Sequence, residues 1–152
     1  MITIAWLYPY ELTLYGESGN IKALMYTLDK ENIKYKLEII DKDTKLELDK
    51  YDFIYMGSGR PKCLEDVKQH LLPYKEEFLN YIENDKILLA TGNAISILDF
   101  LDLYDVKYCK KREVHDVDAT TSLCKGHIVG FQNTEYLIDS TKNIIFNINE
   151  GI

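Results

Sequence analysis

The order of elements predicts an α/β domain of three layers around a mostly parallel sheet, and three observations carry the prediction. Short apolar runs alternate with stretches whose apolar residues recur at helical spacing. The runs at 51–56 and 86–90 are nearly continuous in apolar residues, as expected of strands covered on both faces. Loops rich in glycine or polar residues follow three of the runs, at 15–20, 57–59 and 91–93. That is the arrangement by which a parallel sheet gathers its ligand-binding loops along one edge.

In chain order, Met1-Ile2-Thr3-Ile4-Ala5-Trp6-Leu7 reads as the first strand. Tyr15-Gly16-Glu17-Ser18-Gly19-Asn20 forms a polar turn into a helix with Ile21, Leu24, Met25 and Leu28 on one stripe, and Ser18 or Asn20 is placed to cap it. Residues 34–40 alternate weakly and read as a second strand; residues 51–56 are the third, ending in Gly57-Ser58-Gly59. Two helices follow. The first carries Leu64, Val67 and Leu71, and the second opens at Pro73 and carries Phe78 and Ile82. Residues 86–90 form a further strand, with a helix near 93–102. Beyond about residue 112 the pattern changes to short stretches at 114–119, 127–131, 136–138 and 144–148, read as strands of an antiparallel extension.

At 152 residues the chain is expected to form a single domain, residues 1–152, with a core that needs no staple. No apolar run reaches the roughly 18 residues of a membrane span, so membrane insertion is not expected. The N-terminus lacks a basic n-region and a small-residue cleavage site. Cys63, Cys109 and Cys124 contain no CxxC pair, and reduced thiols in the cytoplasm are the expectation. A net charge of −7, with Lys110-Lys111-Arg112 as the one basic cluster, argues against nucleic acid as a partner. His70 reads as a surface or boundary side chain on an amphipathic helix, and His115 and His127 do not stand at ligand spacing with a cysteine, so no metal site is predicted.

Lys86-Ile87-Leu88-Leu89-Ala90-Thr91-Gly92-Asn93-Ala94-Ile95 has the form of a strand, a sharp glycine turn and a helix start. In α/β enzymes such a turn lifts a Ser or Cys to attack a carbonyl. Here the apex is Thr91, and a threonine nucleophile ordinarily works from a free N-terminal amine that an internal residue lacks. Gly57-Ser58-Gly59 is suited either to present N–H groups to a carboxylate or oxyanion, or simply to make a tight turn.

In order and spacing these residues resemble GatD-type glutamine amidotransferases, class I glutaminase domains of the cobyric acid synthase group. Leu7-Tyr8-Pro9-Tyr10-Glu11-Leu12-Thr13-Leu14-Tyr15-Gly16-Glu17-Ser18-Gly19-Asn20 is similar to the family's LYPxxxNxYGDxGN opening. Residues 52–60 resemble DxxxxGGGQD, residues 88–95 the LAICGGYQ elbow, residues 112–117 RxxGDIV, and residues 128–133 IVGFENH. The resemblance implies a flavodoxin-like fold with antiparallel strands at the C-terminal end and no cofactor. It also implies a Mur ligase-like synthetase as partner and glutamine as the ligand, with Gly57, Ser58, Gly59, Gly92 and Arg112 around it.

The chemical positions depart from the family. The nucleophilic cysteine is replaced by Thr91, and Asn93, Ala94 and Ile95 stand for the second glycine and the Tyr-Gln pair. Thr134 stands for the histidine of the GFENH segment, and no GTYxHGP segment carrying the family's catalytic histidine occurs in the 152 residues. A shortened relic and a natural short form that keeps a partner-binding scaffold both account for this. The expectation is therefore an amidotransferase-like scaffold or regulator without glutaminase activity. The alternatives are a glutaminase subunit completed by a partner or a longer chain, and a glutamine or glutamate sensor. Cys63, on the helix after Pro61, lies away from the elbow and is not expected to substitute as nucleophile. Arg112 is read either as a glutamine-holding residue or as a surface arginine.

Overall fold

A computed structural model describes residues 1–103, 107–121, 125–139 and 146–149. The chain divides into two compact units, Met1–Tyr104 and Asp105–Ile152.

In the first unit the strands are β1 (Ile2–Leu7), β2 (Tyr35–Ile40), β3 (Phe53–Met56) and β4 (Ile87–Ala90). They form a parallel four-stranded sheet in the order β2-β1-β3-β4. This is the flavodoxin-like order: the chain steps from β1 to β2, then reverses across β1 to β3 and β4, leaving a switch point between the carboxyl ends of β1 and β3. The helices are α1 (Ser18–Lys30), α2 (Pro61–Leu71), α3 (Lys75–Glu83) and α4 (Ile95–Phe100). Right-handed crossovers running in opposite directions put α1 on one face of the sheet and α2 and α3 on the other, which completes the three layers.

Side-chain parity agrees. Ala5, Leu7, Ile54 and Met56 point into the main core, with Leu64, Val67 and Leu71 of α2, Phe78 and Tyr81 of α3, and Ile97 of α4. Ile4 and Tyr55 have the opposite parity and are buried on the α1 face. Two details differ from the sequence reading. The strand expected to be buried on both faces, β4, leaves Ile87 and Leu89, which share one face, 57% and 43% exposed; among the described residues β4 is the end strand of the sheet. Helix α1 has Glu17 at its N-cap, with no side-chain cap from Ser18 or Asn20. The Glu17 and Asn20 side chains are used elsewhere.

The second unit is an antiparallel three-stranded sheet, β5 (Lys107–Thr121), β6 (His127–Asp139) and β7 (Phe146–Asn149), in the order β6-β5-β7. The stretches expected as separate strands at 127–131 and 136–138 belong to one strand, paired with β5 from His127 to Asp139 with a register shift between Lys110 and Glu113. Gln132, Asn133 and Thr134 suggest a break only if one face must be apolar. In this ribbon residues on both faces are exposed, and polar side chains do not interrupt the ladder. Of the stretch expected at 144–148, residues 144 and 145 lie outside the described residues, as does Cys124.

Candidate functional site

Three loops meet at the carboxyl edge of the parallel sheet, and one buried carboxylate joins them. Tyr8, at the end of β1, adopts φ 50° and turns the chain into the loop that reaches Glu17. Glu17 is 3% exposed. Its Oε2 accepts the Tyr55 hydroxyl at 2.5 Å, the Thr91 hydroxyl at 3.0 Å and the Asn20 amide at 3.2 Å. Asn20 also donates to Tyr55 Oη at 2.7 Å, so the tyrosine oxygen accepts one bond while giving its proton to the carboxylate. Thr91 Oγ1 lies 3.0 Å from Tyr55 Oη. The carboxylate therefore links the turn before α1, strand β3 and the residue that follows β4.

Burial acts to raise the Glu17 pKa, but hydrogen bonds from Tyr55, the Ser58 backbone, Thr91 and the Ser58 side chain outweigh it and hold the carboxyl below the usual glutamate value. The group is thus an ionised acceptor. Burial and the bond to Glu17 push the Tyr55 phenol the other way, upward, and it stays a donor. A carboxylate so stabilised is a weak base towards a hydroxyl.

The elbow and the glycine loop close on each other. Gly59 N–H donates to Asn93 Oδ1 at 3.0 Å, and Asn93 Nδ2 donates back to Gly59 O at 2.8 Å. Ser58 Oγ donates to the Thr91 carbonyl at 3.3 Å. Thr91 N–H extends the ladder to Met56 O at 3.0 Å. Thr91 is in ordinary extended conformation (φ −105°, ψ 147°), and the turn is taken by Gly92 at φ 54°. A side chain at Gly92 would collide with Ser58 Oγ as well as strain the backbone. At Gly57 a Cβ would stand 2.6 Å from Glu17 Cγ and 2.7 Å from Leu12 O, so the buried glutamate and this glycine require one another.

Of the residues expected at the site, Gly57, Ser58, Gly59, Thr91 and Gly92 come together here. Arg112 lies on β5, in the second unit. Within the first unit the histidine is His70, whose Nδ1 sits 3.0 Å from Tyr8 Oη in an edge-on ring contact. Cys63, as expected, sits on α2; it lines an open groove of about 330 Å³ with Tyr10, Glu11, Thr13, Leu14 and Arg60. Among the described residues no cluster of three His, Cys, Asp or Glu side chains is placed to hold a metal, and no helix is long and apolar enough to cross a membrane.

Sequence reasoning misses three members of this network and the role of a fourth. Tyr55 is legible as the β3 residue of α1-face parity, two before the glycine loop. Glu17 and Asn20 stand in the opening motif, but their reach to Thr91 and Tyr55 is a tertiary contact. Asn93 is visible as a departure from the family pattern; its part as a two-way amide clasp on Gly59 is not.

A flavodoxin-like sheet with a glycine loop after β3 and a strand-turn-helix elbow after β4 is a glutamine amidotransferase-like fold. Solved structures of that kind match across nearly the whole chain. A glutamine amidotransferase from Thermotoga maritima superposes with a TM-score of 0.61 at 12% identity, covering 95% of this chain and 66% of that one. A GMP synthase-type protein from Thermoplasma acidophilum gives 0.51 at 11% identity, covering 94% and 70%. In sequence the chain is similar to the GatD subunit of lipid II isoglutaminyl synthase (glutamine-hydrolyzing) from Streptococcus pneumoniae, 29% identical over 97 residues. That match takes in 64% of this chain, which spans 37% of the length of the Streptococcus protein. No protein-family model matches the sequence.

Proposed function

We propose that this glutamine amidotransferase-like domain does not hydrolyse glutamine and serves instead, in the cytoplasm, as a scaffold or regulator of a Mur ligase-like synthetase. The observation that carries the reading is the closure of the elbow. The hydroxyl at the nucleophile position is held as a donor to an ionised Glu17, and the Gly59 N–H, which an oxyanion would need, is spent on Asn93. A glutaminase needs an activated nucleophile and free donors aimed at the developing oxyanion. What supports the reading is that the Thr91 hydroxyl gives its proton to a carboxylate that is a weak base and that the Gly59 donor is already occupied. The partner is inferred from the GatD relative, whose name makes it one subunit of a synthase.

The test is ammonia release from L-glutamine by the purified chain and by Thr91→Cys, together with co-purification with a co-expressed Mur ligase-like protein. The expected result is no ammonia from either protein and a stable complex. Turnover by the unmodified chain, lost in Thr91→Ala, would overturn the non-catalytic reading, and a chain that never engages the ligase would overturn the scaffold role. One observation favours a second reading, a glutaminase subunit completed by its partner: Glu17 Oε2 is within hydrogen-bonding distance of Thr91 Oγ1, where a base would stand. That reading predicts ammonia release only in the complex, with loss in Glu17→Gln.

A further inference from the structure

We propose that β6 is the edge along which two copies of this chain pair. Among the described residues the one sheet neighbour of this 13-residue strand is β5, so along His127–Asn133 the opposite side carries backbone donors and acceptors with no ladder partner among those residues. Edges of this length are ordinarily blunted by a Lys, a Pro, a bulge or a covering element. From Ile128 to Thr134 the sequence is Ile-Val-Gly-Phe-Gln-Asn-Thr, without a charge or a proline. The register shift with β5, between Lys110 and Glu113, falls at the Thr134 end of this stretch, and from Asn133 back to His127 the ladder is regular. Val129 and Phe131 stand 76% and 63% exposed on one face, beside Val114 at 52%.

A second copy suits this edge better than an unlike strand because the residues are self-complementary. Placed antiparallel about a two-fold axis at Gly130, Val129 opposes Phe131 of the second copy, Ile128 opposes Gln132 and His127 opposes Asn133. No pair brings like charges together, and each two-fold yields two aromatic–β-branched pairs, a favourable class of cross-strand contact. The four apolar side chains then form one continuous patch across the axis. Gly130 lies in unbroken register opposite Val117, so it does not mark a bulge. A glycine inside a regular strand is a place where another backbone can approach closely, and the flanking Phe131 can cover it from the next strand. The nearest acids, Asp116 and Asp118, stand on β5, one strand back from the axis, and Asp118 is bonded to His127 at 2.8 Å. The negatively charged chain thus keeps its acids off the contact.

The test is sedimentation equilibrium of the whole chain at about 100 µM, where a dimer is favoured by mass action. The expected mass is twice the 17.7 kDa of one chain. Val129→Lys and Phe131→Glu, both at exposed positions, are each expected to give monomers with unchanged circular dichroism. The double variant V129K/F131E sets opposite charges against one another across the axis and is expected to recover the dimer. A monomeric wild-type chain overturns the proposal, including one whose β6 edge is instead taken up by another protein. So does a dimer that V129K leaves intact. A double variant that stays monomeric rules out the register about Gly130.

Discussion

Replacing Thr91 by cysteine restores the expected nucleophile in name, but the Glu17 carboxylate is expected to keep it silent. A thiol placed there has its sulfur within about 3 to 4 Å of Glu17 Oε2, since Thr91 Oγ1 is at 3.0 Å. Ionising it sets a second negative charge beside one whose residue is only 3% exposed. Two like charges about 4 Å apart repel by about 4 kcal/mol at an effective dielectric constant of about 20. With relaxation, half of that is a conservative figure, and about 2 to 4 kcal/mol corresponds to roughly 1.5 to 3 pK units. A thiol that would ordinarily titrate near about 8.5 then titrates near about 10 or above. The thiolate fraction at about pH 7.5 falls from about a tenth to below about one per cent. In Thr91→Cys with Glu17→Gln the repulsion is gone and the thiol returns towards its ordinary value. Iodoacetamide alkylation rates between about pH 6 and 10, read by mass spectrometry on the peptide that carries position 91, separate this thiol from Cys63, Cys109 and Cys124. The double variant is expected to react at least about 10-fold faster at about pH 7.5. A single variant whose thiol titrates at or below about 8.5 with Glu17 intact would refute the electrostatic reasoning.

Glu17 also sets a pH dependence of stability. Its folded pKa lies below the unfolded value of 4.5, so its contribution is fully present above that value and is lost as pH falls through the folded pKa. Calorimetric melts should therefore show the wild type losing more stability than Glu17→Gln between about pH 5 and pH 3, with the wild type the more stable at about pH 7. Asn93→Ala removes both bonds of the Gly59 clasp, and urea unfolding should report a loss of about 1 to 3 kcal/mol. Gly92→Ala meets both an unfavourable φ and the Ser58 hydroxyl, and a loss of at least about 2 kcal/mol is expected in the same assay. Adding Ser58→Ala removes the collision but not the φ penalty, so the double variant should regain part of that loss and no more; full recovery would show that the backbone at Gly92 bears no strain.

Much of the fold is legible in the sequence because its signals are local. The apolar runs of β1 and β3, the stripe Ile21-Leu28 of α1 and the glycine loop each announce themselves within a few residues, and the parallel order follows from the alternation of strand and helix. What is not legible depends on neighbours. The exposure of Ile87 and Leu89 on one face of β4 depends on what packs over that face, which Ile87-Leu88-Leu89-Ala90 does not encode. The continuity of β6 through Gln132-Asn133-Thr134 depends on exposure of both faces of the ribbon. At the site, Thr91 and the two glycine turns follow from spacing, whereas the convergence of Glu17, Asn20, Tyr55 and Thr91 joins residues up to 74 positions apart. No pattern in one sequence links such residues.

The hydrogen bonding of the elbow bears on why a glycine loop and turn of this kind persist without a cysteine. A working site leaves donors unpaired until the substrate arrives, and each buried unpaired group costs about 1 to 3 kcal/mol of stability. Natural sites accept that cost for activity. Here the Gly59 N–H is met by Asn93, both hydroxyl protons at the apex are met by Glu17, and the Asn20 amide bridges Glu17 and Tyr55. Under the non-catalytic reading, substitutions at 91 and 93 exchange poised donors for satisfied ones, and the same loops become a fixed rim at the switch point. The reading has a structural consequence at Asn93 itself. An amide there occupies the Gly59 N–H and ties the loop to the elbow, so under this reading reopening the site requires Asn93→Gly as well as a new nucleophile. Restoring the nucleophile alone leaves the donor at Gly59 occupied.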